Sequence, residues 1–132
     1  MPWLDAYNLD TGTWSILPDA PRARDHYYAV LIENRIWNAA GRRTARNSDE
    51  GVLGNTVSEI DYYDIDSGNW GTLPESSNIP TPRAGTAAIN YFGKVLVAGG
   101  ESSAQNAAHR EMELLDPDTA LWSSLPLSLI HI

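Results

Sequence analysis

A twelve-residue phrase occurs three times in this chain of 132 residues, and it restricts the possible folds more than any other feature. The copies span residues 7–18, 63–74 and 115–126, and each contains an aspartate-rich turn, a tryptophan and a closing Leu-Pro. The tryptophans at positions 14, 70 and 122 are 56 and 52 residues apart. A period of this size is typical of architectures that reuse one supersecondary unit.

A second element recurs in phase with the first, over residues 24–41 and 83–100. Each copy runs from an arginine through an apolar segment, a turn, a basic residue and a second apolar segment to a glycine. Short segments rich in aromatic and β-branched residues, separated by Gly, Asn, Asp and Pro, predict an antiparallel meander. Four strands in one period form a propeller blade. We expect almost no helix, with a short helical turn over residues 103–108 as the exception.

These combined motifs resemble the kelch repeat, over about residues 1–126. In that repeat an apolar strand and a basic residue lead to a second strand ending in Gly-Gly, then to a variable loop and Tyr-Asp-x-x-x-x-x-Trp. Two positions depart from the pattern: Ala40 replaces the first glycine of the first pair, and Leu115 replaces the tyrosine of the last unit. The resemblance implies an all-β fold, a partial kelch β-propeller similar to the central domain of galactose oxidase. Its four-stranded antiparallel blades would number two complete ones plus half of a preceding one.

The repeats divide the chain into four expected segments. They are the third and fourth strands of a partial blade (1–21), a kelch blade (22–78), a second kelch blade (79–126), and a tail (127–132). Because propellers need about four to eight blades, we expect the remaining blades in a longer parent chain. The tail, Leu-Ser-Leu-Ile-His-Ile, resembles the translation of a transposon end used as a sequencing adapter, which suggests a non-native origin. A natural apolar strand is the alternative.

The repeated aspartates and tryptophans favour structural roles. We expect tight turns at residues 10–12, 66–68 and 116–118, because an aspartate side chain can accept bonds from the turn backbone and glycine accepts positive φ. The triplet at 64, 66 and 68 weakly resembles a calcium loop but lacks the distal glutamate, so we expect no metal. We expect the tryptophans to pack between blades, with ligand stacking as the alternative.

Charge restricts the partners. A net charge of −8 and a pI near 4.6 argue against nucleic acid and anionic membranes. These 132 residues contain no charged-then-apolar signal-peptide pattern, no apolar stretch of membrane length and no cysteine for a disulfide, and they leave the compartment open. Three arginines at 42, 43 and 46 form a local exception, either as a solvated loop or as a contact for a carboxylate-bearing partner.

The topology predicts where a binding site would lie. If strands a to d run outward from the propeller axis, the b–c loops and the d–a connections emerge on one face, the long-loop face. The loops 42–58 and 101–110 there are long and polar, and loops on a rigid scaffold concentrate binding groups. The candidate partner-binding residues are Arg24, His26, Arg42, Arg43, Arg46, Arg83, Glu101, His109 and Arg110. Arg24 and Arg83 open the innermost strands and should lie nearest the axis, unless they instead bond blade carbonyls.

Catalytic signatures are weak. There is no Gly-x-Ser-x-Gly elbow and no His-Glu-x-x-His zinc motif. The family resemblance includes copper oxidases similar to galactose oxidase, whose tyrosine–cysteine crosslink this chain cannot form. It also includes sugar-acid epimerases with arginine, glutamate and histidine near the channel, so Arg24, His26, Arg83 and Glu101 are suitable types of group.

The sequence therefore predicts a non-catalytic kelch-repeat binding module without cofactor or metal, which holds a protein segment or a carbohydrate, including a carboxylate-bearing one. The alternative is part of a kelch-propeller enzyme acting on sugars, either an oxidase or a sialic-acid-type epimerase. On the leading hypothesis, Arg24→Ala or Arg42→Ala weakens partner binding with little change in stability.

Overall fold

The computed structural model describes residues 2–44, 53–103 and 108–126. Within those ranges the chain forms ten strands in three antiparallel sheets, and its helical structure is a single 3-10 turn, Glu75–Ser77. The first sheet contains β1 (Leu4–Asn8) and β2 (Thr13–Leu17). The second contains β3 (Ala29–Ile32), β4 (Arg35–Asn38), β5 (Asp61–Asp64) and β6 (Asn69–Thr72). The third contains β7 (Ala87–Tyr91), β8 (Lys94–Ala98), β9 (Met112–Asp116) and β10 (Leu121–Leu125).

Both four-stranded sheets are simple meanders in which spatial order follows chain order. Strand β3 contacts β7 and β8, so the two complete sheets meet along their first strands. The predicted all-β architecture, two complete blades and half of a preceding one, is confirmed. The exact segment boundaries at residues 21, 78 and 126 stay predictions.

The apolar core lies between the two complete sheets. Val30 and Trp37 project from the second sheet and belong to the same buried cluster as Val95 and Leu115 of the third sheet. The ring of Trp37 lies 4.9 Å from that of Tyr62, measured between centroids. Opposite that tyrosine stands Gly71, where a Cβ would approach the Tyr62 ring to 2.4 Å, so this close approach requires glycine.

Two of the three repeated tryptophans connect successive units. The indole N–H of Trp70 donates a 2.8 Å hydrogen bond to the carbonyl of Pro18, and that of Trp122 donates a 2.8 Å bond to the carbonyl of Ser77. The expected role in packing between blades therefore holds for these two. It does not hold for Trp14, which is 71% exposed and contacts Tyr7, because no earlier sheet among the described residues covers its face.

A polar side chain bonds the backbone of each tight turn, but only Asp116 is a residue that the sequence assigned to this role. In the first two turns Asn8 and Asp64, at the strand ends, take the place of Asp10 and Asp66. The Oδ1 atom of Asp64 accepts a 2.9 Å bond from the N–H of Ser67, and Oδ1 of Asp116 accepts a 3.0 Å bond from the N–H of Asp118. In the part of the chain that the structure describes, no group of three His, Asp or Glu side chains is placed to hold a metal ion.

The possible helical turn at 103–108 and the tail 127–132 fall wholly or largely outside the described residues. Over the described ranges, no helix reaches the length and apolarity that crossing a bilayer would require.

Candidate partner-binding face

Backbone hydrogen bonds join the loops of the long-loop face into one network. Bridges pair Asp25 with Arg42 in the second sheet's unit and Ala84 with Glu101 in the third sheet's unit. Between the units, the N–H of Gly41 donates to the carbonyl of Arg83 at 2.9 Å. A second hydrogen bond between the units runs from the N–H of Gly85 to the carbonyl of His26, at 2.7 Å. The two units therefore present these loops as one connected surface.

Arg42 occupies the centre of this surface, with its side chain only 6% exposed. One terminal nitrogen lies 3.1 Å from Oε1 of Glu101 in the next unit, and its Nε lies 3.7 Å from Oδ1 of Asp25 in its own unit. We call these three residues the Arg42 clamp. The clamp places a buried cation between two partly exposed carboxylates, so it holds the two units together electrostatically.

Asp25 has further polar contacts. Thr44 donates to its carboxylate from both the backbone N–H, at 3.0 Å, and the hydroxyl, at 2.9 Å. The Nδ1 atom of His26 lies 2.5 Å from Oδ1 of Asp25. Burial acts to raise the pKa of Asp25, but these bonds outweigh burial and lower that pKa below its ordinary value. The sequence reasoning did not identify Thr44, because nothing in its local sequence marks it as a partner of an aspartate nineteen positions earlier.

Arg24 lies inside the second sheet rather than on the surface. Its NH2 group lies 2.5 Å from Oδ2 of Asp61, and its NH1 group donates to the carbonyl of Ala40 at 2.8 Å. Burial lowers the pKa of Arg24, and the charge of Asp61 opposes that shift. The side chain thus donates to carbonyls at the ends of strands, which is a structural role rather than a partner-binding one.

Arg83 repeats this arrangement in the third sheet and is fully buried. Its Nε donates to the carbonyl of Gly99 at 2.7 Å, its NH1 donates to that of Thr81 at 2.7 Å, and its guanidinium forms an ion pair with Glu113. A fully buried guanidinium offers no donor to a partner. Of the two roles that the sequence leaves open for Arg24 and Arg83, these contacts support the structural one, because both side chains donate to carbonyls at strand ends that would otherwise be unpaired. Their position near the propeller axis stays a prediction.

His109 is also buried, at 1% exposure, and belongs to a chain of three side chains. Its Nε2 lies 2.8 Å from Oγ of Ser102, and its Nδ1 lies 3.1 Å from Oε2 of Glu111. An ionised carboxylate can only accept, so Nδ1 donates to Glu111, and in the neutral imidazole Nε2 then accepts from the serine hydroxyl. We call this group the loop clasp, because it joins the two ends of the b–c loop of the third sheet.

The loop clasp has the connectivity of a serine-hydrolase relay, but its burial gives it a structural role. Ser102 is 5% exposed, so its hydroxyl is not open to a substrate. Burial tends to raise the pKa of Glu111, yet hydrogen bonds from its own N–H, from His109 and from the N–H of Arg110 lower that pKa overall. His109 thus supports the loop from within, where it is almost fully buried.

The remaining predicted residues reach solvent. His26, Arg43, Glu101 and Arg110 are all exposed on the loops of this face. His26 has a positive φ of 54°, a conformation that is uncommon for residues other than glycine. The last predicted residue, Arg46, lies outside the described residues.

Comparison with known proteins gives kelch-type relatives. No family model matches the chain. The chain is 29% identical over 119 residues to Kelch-like protein terF of Aspergillus terreus, which covers 89% of this chain and 24% of that protein. It is 22% identical over 122 residues to Kelch domain-containing protein 8B of Rattus norvegicus, covering 92% of this chain and 34% of that protein.

A solved structure has a fold similar to that of this chain. The structure of YjhT superposes with a TM-score of 0.72 at 19% identity, over 89% of this chain and 42% of that chain. The chain is thus part of a kelch-type β-propeller. A further relative, Beta-scruin of Limulus polyphemus, is 25% identical over 123 residues, which are 89% of this chain and 12% of that protein. The chain thus spans about a third or less of the length of these curated kelch-type relatives.

Proposed function

We propose that this kelch-type scaffold is a binding module that holds a carboxylate-bearing protein segment on its long-loop face. The observation that carries this proposal is the Arg42 clamp, in which Arg42 joins loops of two successive blades by its 3.1 Å ion pair with Glu101. A surface whose loops are joined in this way loses little conformational entropy when a partner binds.

The choice of a carboxylate-bearing partner rests on two arginines. Arg43 and Arg110 are exposed, and neither guanidinium has an ion pair or hydrogen bond to another residue in the described ranges. Arginine binds carboxylates through two parallel hydrogen bonds, which provide both energy and geometric specificity. Exposed Glu101 and His26 lie on loops of the same face and add polar contacts for the backbone or side chains of the segment.

The experiment that tests this proposal is site-specific photocrosslinking in the full-length protein. A photoreactive residue at position 43 or 110 should capture partner segments, whereas one at position 66, in a tight turn on the opposite face, should not. The double variant Arg43→Glu/Arg110→Glu should lose binding to immobilised acidic peptides, while Arg43→Lys should retain part of it. Equal capture at all three positions, or unchanged binding by the double variant, would contradict the proposal.

A second function, catalysis on a sugar, draws support from one observation. Nδ1 of His26 lies 2.5 Å from Oδ1 of Asp25, and both side chains are exposed. A carboxylate that orients an imidazole in this way can help the imidazole act as a general base. Incubating the full-length protein with neutral sugars and sugar acids, followed by NMR, would detect turnover. That turnover should fall with His26→Gln. If the unmodified protein shows no turnover, the catalytic alternative is rejected and the binding function is the one that remains.

A further inference from the structure

The face opposite the long loops contains a groove that the proposed function does not use. There, on what we call the tight-turn face, the hairpin turns of two adjacent blades enclose a volume of about 430 Å³. Residues 32–35 and Trp37 of one blade line one side, and Asn90, residues 92–94 and residues 116–118 of the next blade line the other. Small-molecule sites in proteins are typically about 300–1,000 Å³, so the groove has the size for a small ligand.

Hydrogen bonds fix the walls of this groove. The side-chain N–H of Asn90 donates to the carbonyl of Leu31 in the neighbouring blade at 3.1 Å. The Oδ1 atom of the same asparagine accepts a 2.9 Å bond from the N–H of Gly93. Asn90 therefore connects one blade's innermost strand to the other blade's turn and sets the width of the groove.

The charges that line the groove nearly balance. Arg35 donates from Nε to Asp64 at 3.1 Å, but its two terminal nitrogens have no hydrogen-bond partner among the described residues. Lys94 uses one of its three donors on Asp116, at 2.6 Å. Glu33 and Asp118 are exposed carboxylates with side chains that no other described residue engages. Free donors and free acceptors thus face one small volume together.

Phe92 supplies an apolar surface at the same groove. Its side chain is 87% exposed, and its ring contacts Tyr91 edge-on with 4.8 Å between centroids. Its φ is +50°, a left-handed conformation that is a genuine outlier for a bulky residue and suits asparagine or glycine better. The equivalent turn residue of the preceding blade, Glu33, has a φ of +52°, so the hairpin turn itself requires this conformation. The feature that folding does not explain is the exposure of the Phe92 ring.

We infer that this groove binds a neutral saccharide of one or two rings. Each hydroxyl of a sugar both donates and accepts, so it can accept from Arg35 or Lys94 and donate to Glu33 or Asp118. The apolar face of a pyranose ring can stack on Phe92. A simple anion would be repelled by three lining carboxylates and a simple cation by two lining bases, so a neutral polyhydroxyl ligand fits best. This site lies on the opposite face from the one proposed above and is independent of it.

The test is a titration of the full-length protein with methyl glycosides of glucose, galactose and mannose, followed by saturation-transfer NMR. At least one glycoside should bind with millimolar affinity. Phe92→Asn should weaken that binding about five- to tenfold, because it removes the stacking surface. Since asparagine tolerates positive φ, the same variant should fold at least as stably as the unmodified protein.

The matched control is Leu9→Asn, which removes an exposed apolar side chain from a tight turn that does not line the groove. It should leave glycoside binding unchanged. Three outcomes would overturn the inference: no binding by any of the three glycosides, equal binding by Phe92→Asn, or binding of acetate or phosphate at this groove in place of the glycosides. Loss of stability in Phe92→Asn would assign the ring a structural role and would also overturn it.

Discussion

Arg42 and Glu101 form a 3.1 Å ion pair between two successive kelch blades, and the two side chains differ greatly in exposure. The arginine is buried, whereas nearly half of the glutamate side chain is in solvent. The energetic consequences of removing them should therefore be unequal.

The sequence alone predicts little change in stability for Arg42→Ala, but the buried position of this side chain changes that expectation. The substitution should lower the free energy of unfolding by about 1–3 kcal/mol, because it leaves Asp25 and Glu101 without their shared cation. Glu101→Gln should cost less than about 1 kcal/mol, since exposed ion pairs contribute little. Urea denaturation of the full-length protein measures both values. Equal costs would mean that the clamp acts through Glu101 rather than through the buried guanidinium.

Arg83→Ala should cost about 3–5 kcal/mol, because it leaves Glu113 buried without its partner and strand-end carbonyls unpaired. Arg83→Lys should recover only part of this loss, since an ammonium cannot reproduce the planar fork. The control is Arg43→Ala on the surface, which should change stability by less than about 0.5 kcal/mol. A small effect at position 83, measured by the same denaturation, would contradict the structural role.

Trp122→Phe should lower stability by about 1 kcal/mol, because it leaves the carbonyl of Ser77 without the indole donor. Trp14→Phe, at the equivalent position of the first repeat, should cost less than about 0.5 kcal/mol, since Trp14 is exposed. Thermal unfolding of the pair would test this. Similar losses from both substitutions would show that Trp14 also makes a contact between units.

The loop clasp should make the third sheet's loop sensitive to acid. The pKa of Glu111 is lower in the folded chain than its ordinary value of 4.5, so the folded state binds fewer protons than the unfolded state. Its contribution to stability is complete at neutral pH and is lost as the pH falls through 4.5 toward the lower folded pKa. Hydrogen exchange of residues 101–111 should accelerate over that window, and Glu111→Gln should remove that part of the pH dependence. An unchanged profile in this variant would contradict the clasp.

Much of the architecture was predictable from local signals. The spacing of the tryptophans, the alternation of short apolar segments with turn residues, and the lengths of the loops placed the ten strands and separated the two faces. These signals suffice because strand and turn formation depend on neighbouring residues in the chain.

The candidate site was predictable only in part. The lengths of the loops predicted that Arg42 and Glu101 lie on the same face, and the two side chains form an ion pair there. Arginines of identical chemistry nevertheless separate into buried Arg24 and Arg83 and exposed Arg43 and Arg110. Sequence reasoning left both roles open for Arg24 and Arg83, since nothing in the local sequence shows which carbonyls lack a partner. The groove beside Phe92 was missed because its two walls belong to different repeats.

By itself, the sequence determined that this chain forms repeated four-stranded sheets with short turns on one face and long polar loops on the other, because those features follow from local periodicity. Only the tertiary structure decided which polar side chains are buried between strands and which remain free to bind. That choice depends on the hydrogen-bonding groups and charges that packing brings together from positions far apart in the chain.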